Sequence, residues 1–125
     1  TWWAFEHPNQ LLFSLDTRLD IEHIYARNRG KHETLSNENN LELLGNKSLL
    51  EQRINIRASD YRFADKAKYY LGSVGSDGGR KETSIQELQD LCTQKSDFLE
   101  SDILDRNKRI VDGFCDYLDR ICLLK

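Results

Sequence analysis

An acidic residue stands directly before a histidine at Glu22-His23, inside the otherwise apolar sequence "IEHIY". A neutral imidazole with a pKa near ~6.5 can take a proton at cellular pH, and a carboxylate is a hard oxygen ligand for a divalent cation. Neighbouring side chains of a regular strand point to opposite faces. The pair can therefore serve one site only if the strand twists, bulges or ends there.

Two asparagines follow at positions where they could join such a site. Asn46 lies in "LGNKSLL", at the start of a second apolar segment, and Asn55 comes nine residues later in "RINIR". By itself, Asn46 after a glycine is an ordinary turn residue, and Asn55 is an ordinary helix-start residue. Their order after the acid-histidine pair makes them candidates for the same site.

The elements that must position these residues make an α+β outline dominated by helix. Strands are expected over 19–26 and 47–51, forming a small hairpin, and a helical turn in "QRINIR" follows the second strand. A short helical turn is also expected around 39–44. The hairpin and the helical sequence after it predict a ββα core, which is followed by a C-terminal helical subdomain.

Capping residues and apolar spacing predict the later helices. Asp60 is expected to cap a helix that ends at Gly72, Thr83-Ser84 to open a second helix, and Ser101 to cap the last and longest one. An apolar stripe is expected to pack this last helix against the core; its members are Ile103, Ile110, Val111, Phe114, Leu118 and Ile121.

The length of 125 residues predicts a single domain with one modest core. Within it, residues 19–71 are expected to form the ββα core, 72–82 a flexible loop, and 83–125 the C-terminal helices. Because the sequence begins at Thr1 without a methionine, we expect it to be a piece of a longer protein. No apolar run approaches the roughly 20 residues that cross a bilayer, so no membrane partner is expected.

The three cysteines, Cys92, Cys115 and Cys122, all fall in helix-like sequence. The last two are seven positions apart, which places them two turns apart on one helix and excludes a disulfide between them. No spacing of Cys and His matches a zinc site. Reduced cysteines in the core of a cytosolic protein are therefore expected.

Charge is distributed unevenly along the chain. The formal net charge is −3, which argues against a strongly basic nucleic-acid binder. Residues 20–81 nevertheless carry 11 Lys and Arg against 9 Asp and Glu, whereas residues 82–125 carry 6 against 10. The basic residues thus gather around the acid-histidine pair and the acidic ones in the tail.

The order of these residues, an acid-histidine pair, an asparagine and a second asparagine across a hairpin, resembles the His-Me finger (HNH) nucleases. The longer pattern "IEHIY…LGNKSLL…IN…S…F..K..YY" resembles the C-terminal nuclease domain of GmrSD-type modification-dependent restriction endonucleases, whose pattern is approximately "EHI-x-P-Q…LGN-L-T-L-L…N…F-x-x-K". The closing "DILDRNKRI" is similar to that domain's final "I-x-x-R" helix. The resemblance covers 19–71 specifically and 100–125 loosely.

The chain departs from this pattern at two positions. Ala26 stands where the family has proline, which would help to end the strand with a fixed φ. Lys47 stands where the family has an apolar residue. Neither change removes a catalytic atom.

The resemblance implies a role for each site residue. His23 would be the base that activates water, and Asn46 would orient it. Glu22 and Asn55 would offer hard oxygen ligands to Mg²⁺ or Mn²⁺. Contacts to the DNA backbone are expected from three basic side chains, those of Lys47, Arg62 and Lys66.

The expected function is a metal-dependent endonuclease domain that hydrolyses DNA phosphodiester bonds in the cytoplasm, in restriction of foreign or modified DNA and defence against phage. The resemblance implies an N-terminal NTP-hydrolysing domain as a partner, in the same or another chain. An alternative stays open, in which a catalytically degenerate nuclease remnant binds DNA or docks a protein. In that reading the apolar positions near the end of the tail could also form a homodimer.

Overall fold

The computed structural model describes residues 17–57, 62–72 and 82–123. It shows the expected helix-dominated α+β arrangement, in which one two-stranded hairpin precedes the longer helices. The predicted roles of Asp60 and of most of the 72–82 loop fall outside the described residues.

The hairpin consists of β1 (Leu19–His23) and β2 (Lys47–Glu51), which pair antiparallel with His23 opposite Lys47. Both strands were predicted, but β1 is shorter than the expected 19–26. It ends just after His23 because the Ile24 amide still bonds to the Asn46 carbonyl in register, but the backbone groups of Tyr25 bond to the Asn46 side chain instead of continuing the ladder. Glu22 and His23 could share one site only if the strand twists, bulges or ends there, and the last of these conditions is met.

Three short helical segments fill the connection between the strands. They are α1 (Arg27–Gly30) and two 3₁₀ helices, Glu38–Glu42 and Leu44–Asn46. The Asn37 side chain caps the first 3₁₀ helix by accepting a hydrogen bond from the Asn39 amide at 3.0 Å. The second one leads directly into β2 and carries Asn46 at its last position.

Within the described residues, four helices follow β2: α2 (Gln52–Arg57), α3 (Phe63–Tyr70), α4 (Gln86–Gln94) and α5 (Glu100–Leu123). The helical turn predicted in "QRINIR" is α2, so the chain passes from strand to helix without a loop. Gly72, just past α3, has a φ of 72°, and this left-handed conformation favours glycine after a helix end.

The prediction that Ser101 caps the last helix is wrong. The helix begins one residue earlier, at Glu100, and Ser101 is exposed. Asp102 makes the capping contact, because its carboxylate reaches back to accept a hydrogen bond from the Leu99 amide at 2.8 Å.

The hydrophobic core lies between the hairpin and α3, α4 and the first turns of α5. Its buried members include Ile24, Leu50, Ile54, Phe63, Tyr70, Ile85, Leu88, Phe98 and Ile103. The rings of Phe63 and Phe98 pack with centroids 6.1 Å apart. Each large apolar side chain that is fully buried contributes about 1.5–3 kcal/mol, so this cluster is the main support of the site described below.

Among the described residues, only those in the first turns of α5 join this core. Ile103 is fully buried, but Val111, Phe114 and Leu118 are 46%, 44% and 43% exposed, which corrects the expectation that the whole stripe is packed. Two of the cysteines expected in the core, Cys115 and Cys122, are exposed on the same part of α5. Helical periodicity shows which face is apolar, but it does not show how far along the helix the core extends.

Candidate active site

Asn46 is fully buried, and its side chain holds the backbone just after His23. Its Oδ1 accepts a hydrogen bond from the Tyr25 amide at 2.7 Å, and its Nδ2 donates to the carbonyls of Tyr25 at 3.0 Å and Leu41 at 2.9 Å. Its own carbonyl accepts from the Ile24 amide at 2.9 Å. Asn46 therefore acts on the turn that follows the histidine, through the backbone.

The turn that carries Asn46 is pressed against α5. The Gly45 amide donates to Asn107 Oδ1 at 3.0 Å, and a Cβ at Gly45 would lie 2.1 Å from the Ile103 carbonyl oxygen. No side chain fits at this approach, so position 45 requires glycine.

Arg106 ties the same turn to two helices. Its Nη1 donates to the carbonyls of Leu44, Gly45 and Lys47 at 3.1, 3.0 and 2.7 Å. Its other nitrogens form a bidentate pair with the Glu87 carboxylate of α4, both at 2.9 Å. Arg106, the arginine of the closing "I-x-x-R" sequence, therefore anchors the turn that carries Asn46 to α4 and α5.

His23 ends β1 with its side chain 17% exposed. The imidazole Nε2 lies 3.4 Å from both carboxylate oxygens of Glu42. The same carboxylate accepts from Arg27 Nε at 3.1 Å and pairs with Lys47 Nζ at 3.3 Å. We refer to Arg27, Glu42 and Lys47 as the rim.

A cleft of about 190 Å³ opens beside His23, and it brings together four of the predicted site residues. It is lined by Ile21, Glu22, His23, Ala26, Arg27, Asn55 and Lys66. Glu22 and His23 share this cleft although they are neighbours on a strand, because β1 ends at the histidine.

Glu22 is buried and has two partners from α3. Its Oε2 accepts a hydrogen bond from the Tyr70 hydroxyl at 2.9 Å, and its Oε1 lies 3.3 Å from Lys66 Nζ. Burial, together with the nearby Glu22 carboxylate, raises the pKa of Tyr70 well above its ordinary value. Tyr70 therefore stays protonated and donates to Glu22.

Lys66 occupies a different place from the one expected for a phosphate contact. It is buried, and its ammonium donates to the His23 carbonyl at 2.6 Å as well as pairing with Glu22. A buried carboxylate needs a countercharge, and Lys66 supplies it. Of the other two predicted DNA contacts, Lys47 is on the rim, whereas the exposed Arg62 precedes α3 and does not line the cleft.

Asn55 reaches the cleft from α2. Its Nδ2 donates to Asp20 Oδ2 at 3.0 Å. This bond orients the Asn55 amide: its nitrogen faces Asp20, so its carbonyl oxygen points away from Asp20.

Glu22 and Asn55 fit a cation that prefers oxygen ligands. In the described part of the chain no three His, Cys, Asp or Glu residues group as metal ligands. Mg²⁺, however, is usually held by one or two protein oxygens together with water and phosphate. Lys66 already places its ammonium 3.3 Å from Glu22 Oε1, so a metal ion would compete with this ammonium for the carboxylate.

Two residues near the site were missed from the sequence. Glu42 lies 19 positions from His23, and no local pattern connects them. Tyr70 was included in the pattern "F..K..YY" without a role, although it follows Lys66 by four positions and so shares its side of α3. That spacing could have indicated that both side chains reach the same carboxylate.

In the described residues no helix is long and apolar enough to cross a membrane. No curated protein and no solved structure matches the chain. The family model for the C-terminal domain of GmrSD restriction endonucleases matches residues 4–112, which is most of the sequence. The chain therefore belongs to the family of GmrSD restriction endonuclease C-terminal domains.

Proposed function

We propose that this domain is a metal-dependent endonuclease of the His-Me finger (HNH) class, and that it hydrolyses DNA phosphodiester bonds in restriction of foreign or modified DNA. The observation that carries the proposal is the cleft in which Glu22, His23 and Asn55 meet at the end of β1. These three residues come from two separate elements, and their types match the needs of phosphodiester hydrolysis.

His23 is the proposed general base. It takes a proton from a water molecule whose oxygen bonds to phosphorus, while the bond from phosphorus to the leaving oxygen breaks. The Asn46 bonds to Tyr25 hold the turn after the histidine and so keep the imidazole at the mouth of the cleft. Glu22 and Asn55 would hold Mg²⁺ or Mn²⁺, which supplies Lewis-acid stabilisation of the charge on the phosphoryl oxygens when bound.

The basic residues divide into two roles in this proposal. Lys47 and Arg27 are on the rim and contact the DNA backbone. The exposed Arg62 is a further proposed contact to the DNA backbone. Lys66 compensates the buried charge of Glu22 and steadies the His23 carbonyl. An N-terminal NTP-hydrolysing domain, in the same or a partner chain, and a cytoplasmic setting complete the proposal.

Plasmid nicking by the full-length protein tests it. His23→Ala should lower the cleavage rate by about 10²- to 10⁴-fold, because the general base is lost. It should change the free energy of unfolding by only about 0.5 kcal/mol, as expected for a side chain outside the core cluster. His32→Ala is the matched control, since His32 is exposed and is not one of the residues that line the cleft. Unchanged cleavage by His23→Ala would overturn the assignment.

A second function is favoured by one observation, the contact between the Lys66 ammonium and Glu22. An internal cation could replace a metal in a degenerate nuclease that only binds DNA or docks a protein. Retained DNA binding without cleavage, in both Mg²⁺ and Mn²⁺, would support that second function over the first.

A further inference from the structure

Glu42 was not among the predicted site residues, but it contacts the proposed base, His23. It is the last residue of the 3₁₀ helix Glu38–Glu42, and its side chain is 51% exposed. Both of its carboxylate oxygens lie 3.4 Å from His23 Nε2. The imidazole therefore faces a carboxylate on its Nε2 side.

Two cations, Arg27 and Lys47, also hold the Glu42 carboxylate in place. Arg27 comes from α1, and Lys47 comes from β2, where it is the register partner of His23. Partial burial acts to raise the pKa of Glu42, but hydrogen bonds from His23, Lys47 and Arg27 outweigh it and lower the pKa. The carboxylate is therefore ionised at neutral pH, and its position does not depend on His23 alone.

An ionised carboxylate can only accept hydrogen bonds. A neutral imidazole that faces it through Nε2 must carry its hydrogen on that nitrogen, which leaves the lone pair on Nδ1. We infer that Glu42 is a positioning residue that holds His23 in the Nε2–H tautomer, with Nδ1 as the nitrogen that receives the proton. The consequence for cleavage rests on the proposed function, whereas the tautomer itself does not.

The same contacts allow an opposite effect of Glu42 on cleavage. Its charge offsets those of Arg27 and Lys47, so it could hinder the approach of phosphate to the rim. Removing it would then raise the cleavage rate, whereas removing a positioning residue lowers that rate. The two effects differ in sign, and one substitution separates them.

The test is Glu42→Gln in the full-length protein, which keeps the side-chain shape and removes the charge. Nitrogen-15 NMR of the His23 ring reports the tautomer directly, without DNA or metal. The wild type should show the Nε2–H form, and Glu42→Gln should show a mixture, because an amide can donate as well as accept. Glu38→Gln is the control, since Glu38 is exposed on the same 3₁₀ helix.

Plasmid cleavage gives the second readout. The kcat of Glu42→Gln should fall by about 10- to 100-fold, the usual cost of losing a partner that orients a site residue. KM for DNA should stay the same or fall, because one negative charge leaves the rim. An unchanged tautomer, or a raised kcat, would overturn the inference. A tautomer shift in a protein that never cleaves DNA would instead uphold the tautomer assignment and count against the proposed function.

Discussion

Asn46 and Glu42 both hold the segment around His23, and they differ completely in exposure. Asn46 is fully buried and bonds to backbone groups of Tyr25 and Leu41, whereas Glu42 is half exposed and contacts the imidazole itself. A buried polar group must have all its partners, because each one lost leaves an unsatisfied group away from water. An exposed carboxylate can be replaced by water at little cost. We therefore expect Asn46 to control stability and Glu42 to control reactivity.

The same contrast extends to the regions around these two residues. The turn Leu44–Asn46 is fastened by Arg106 and by close packing against Ile103, so it behaves as part of the core. The rim is made of long charged side chains whose contacts are partly solvated. The site thus combines a rigid backbone support with adjustable side chains at its mouth.

The largest effect is expected where α5 meets the turn. In Gly45→Ala the new Cβ would lie 2.1 Å from the Ile103 carbonyl oxygen and 2.5 Å from the Asn107 nitrogen, so α5 would have to move. We expect a loss of about 3 kcal/mol or more in the free energy of unfolding, the upper part of the range for overpacking, measured by urea denaturation.

Gly30→Ala is the matched control for that substitution. Its Cβ would meet only the end of the Leu41 side chain, at 3.0 Å, which can shift. We expect a change below about 1 kcal/mol. Equal effects of the two substitutions would show that the turn is not a rigid support and would break the comparison.

A smaller effect is expected from Asn46→Asp, which keeps the side-chain shape. The carboxylate cannot donate to the carbonyls of Tyr25 and Leu41, and a buried charge appears among them. We expect the free energy of unfolding to fall by about 2–3 kcal/mol. Glu42→Gln, measured in the same way, should change it by no more than about 0.5 kcal/mol. Similar stabilities for these two variants would contradict the assigned division between stability and reactivity.

The smallest effect is expected on the free energy of unfolding at acid pH, through the pair of Arg29 and Asp97. The Arg29 guanidinium donates to both oxygens of Asp97, at 2.8 and 3.0 Å, and stacks 4.4 Å from the Tyr25 ring centroid. Burial acts to raise the pKa of Asp97, but hydrogen bonds from Arg29 and from the Phe98 amide lower it overall. An acid with a folded-state pKa below its unfolded value stabilises the protein above the unfolded pKa of 3.8, and this contribution is lost as the pH falls through the folded value.

Urea denaturation between pH 6 and pH 3 measures this contribution to the free energy of unfolding. We expect it to be about 1 kcal/mol or less, because the Asp97 side chain is 45% exposed. Asp97→Asn should be less stable than the wild type at pH 6 and should lose less stability below pH 4. A steeper acid loss in the variant would mean that Arg29 is held mainly by Glu33, its other carboxylate partner.

Local patterns were sufficient to predict the two strands and the end of α3, which Gly72 follows closely. β2 was predicted at its observed bounds because "KSLLE", with Leu49 and Leu50 at its centre, follows a glycine turn and precedes helical sequence. The caps were harder, since Ser101 and Asp102 are both good capping residues and the helix start decides which one acts. The burial of α5 could not be predicted, because an apolar stripe carries no information on what packs against it.

The sequence by itself determined the kinds of residues at the site and their order, Glu22-His23, Asn46, Asn55 and Lys66. Only the tertiary structure decided which of them face the cleft and what each one touches. It placed Lys66 inside, against Glu22, and brought Glu42 to His23 across 19 positions of sequence. Charge pairing of this kind depends on distance in space and on burial, because the same ammonium is a solvated surface charge on one face of a helix and a buried counterion on another.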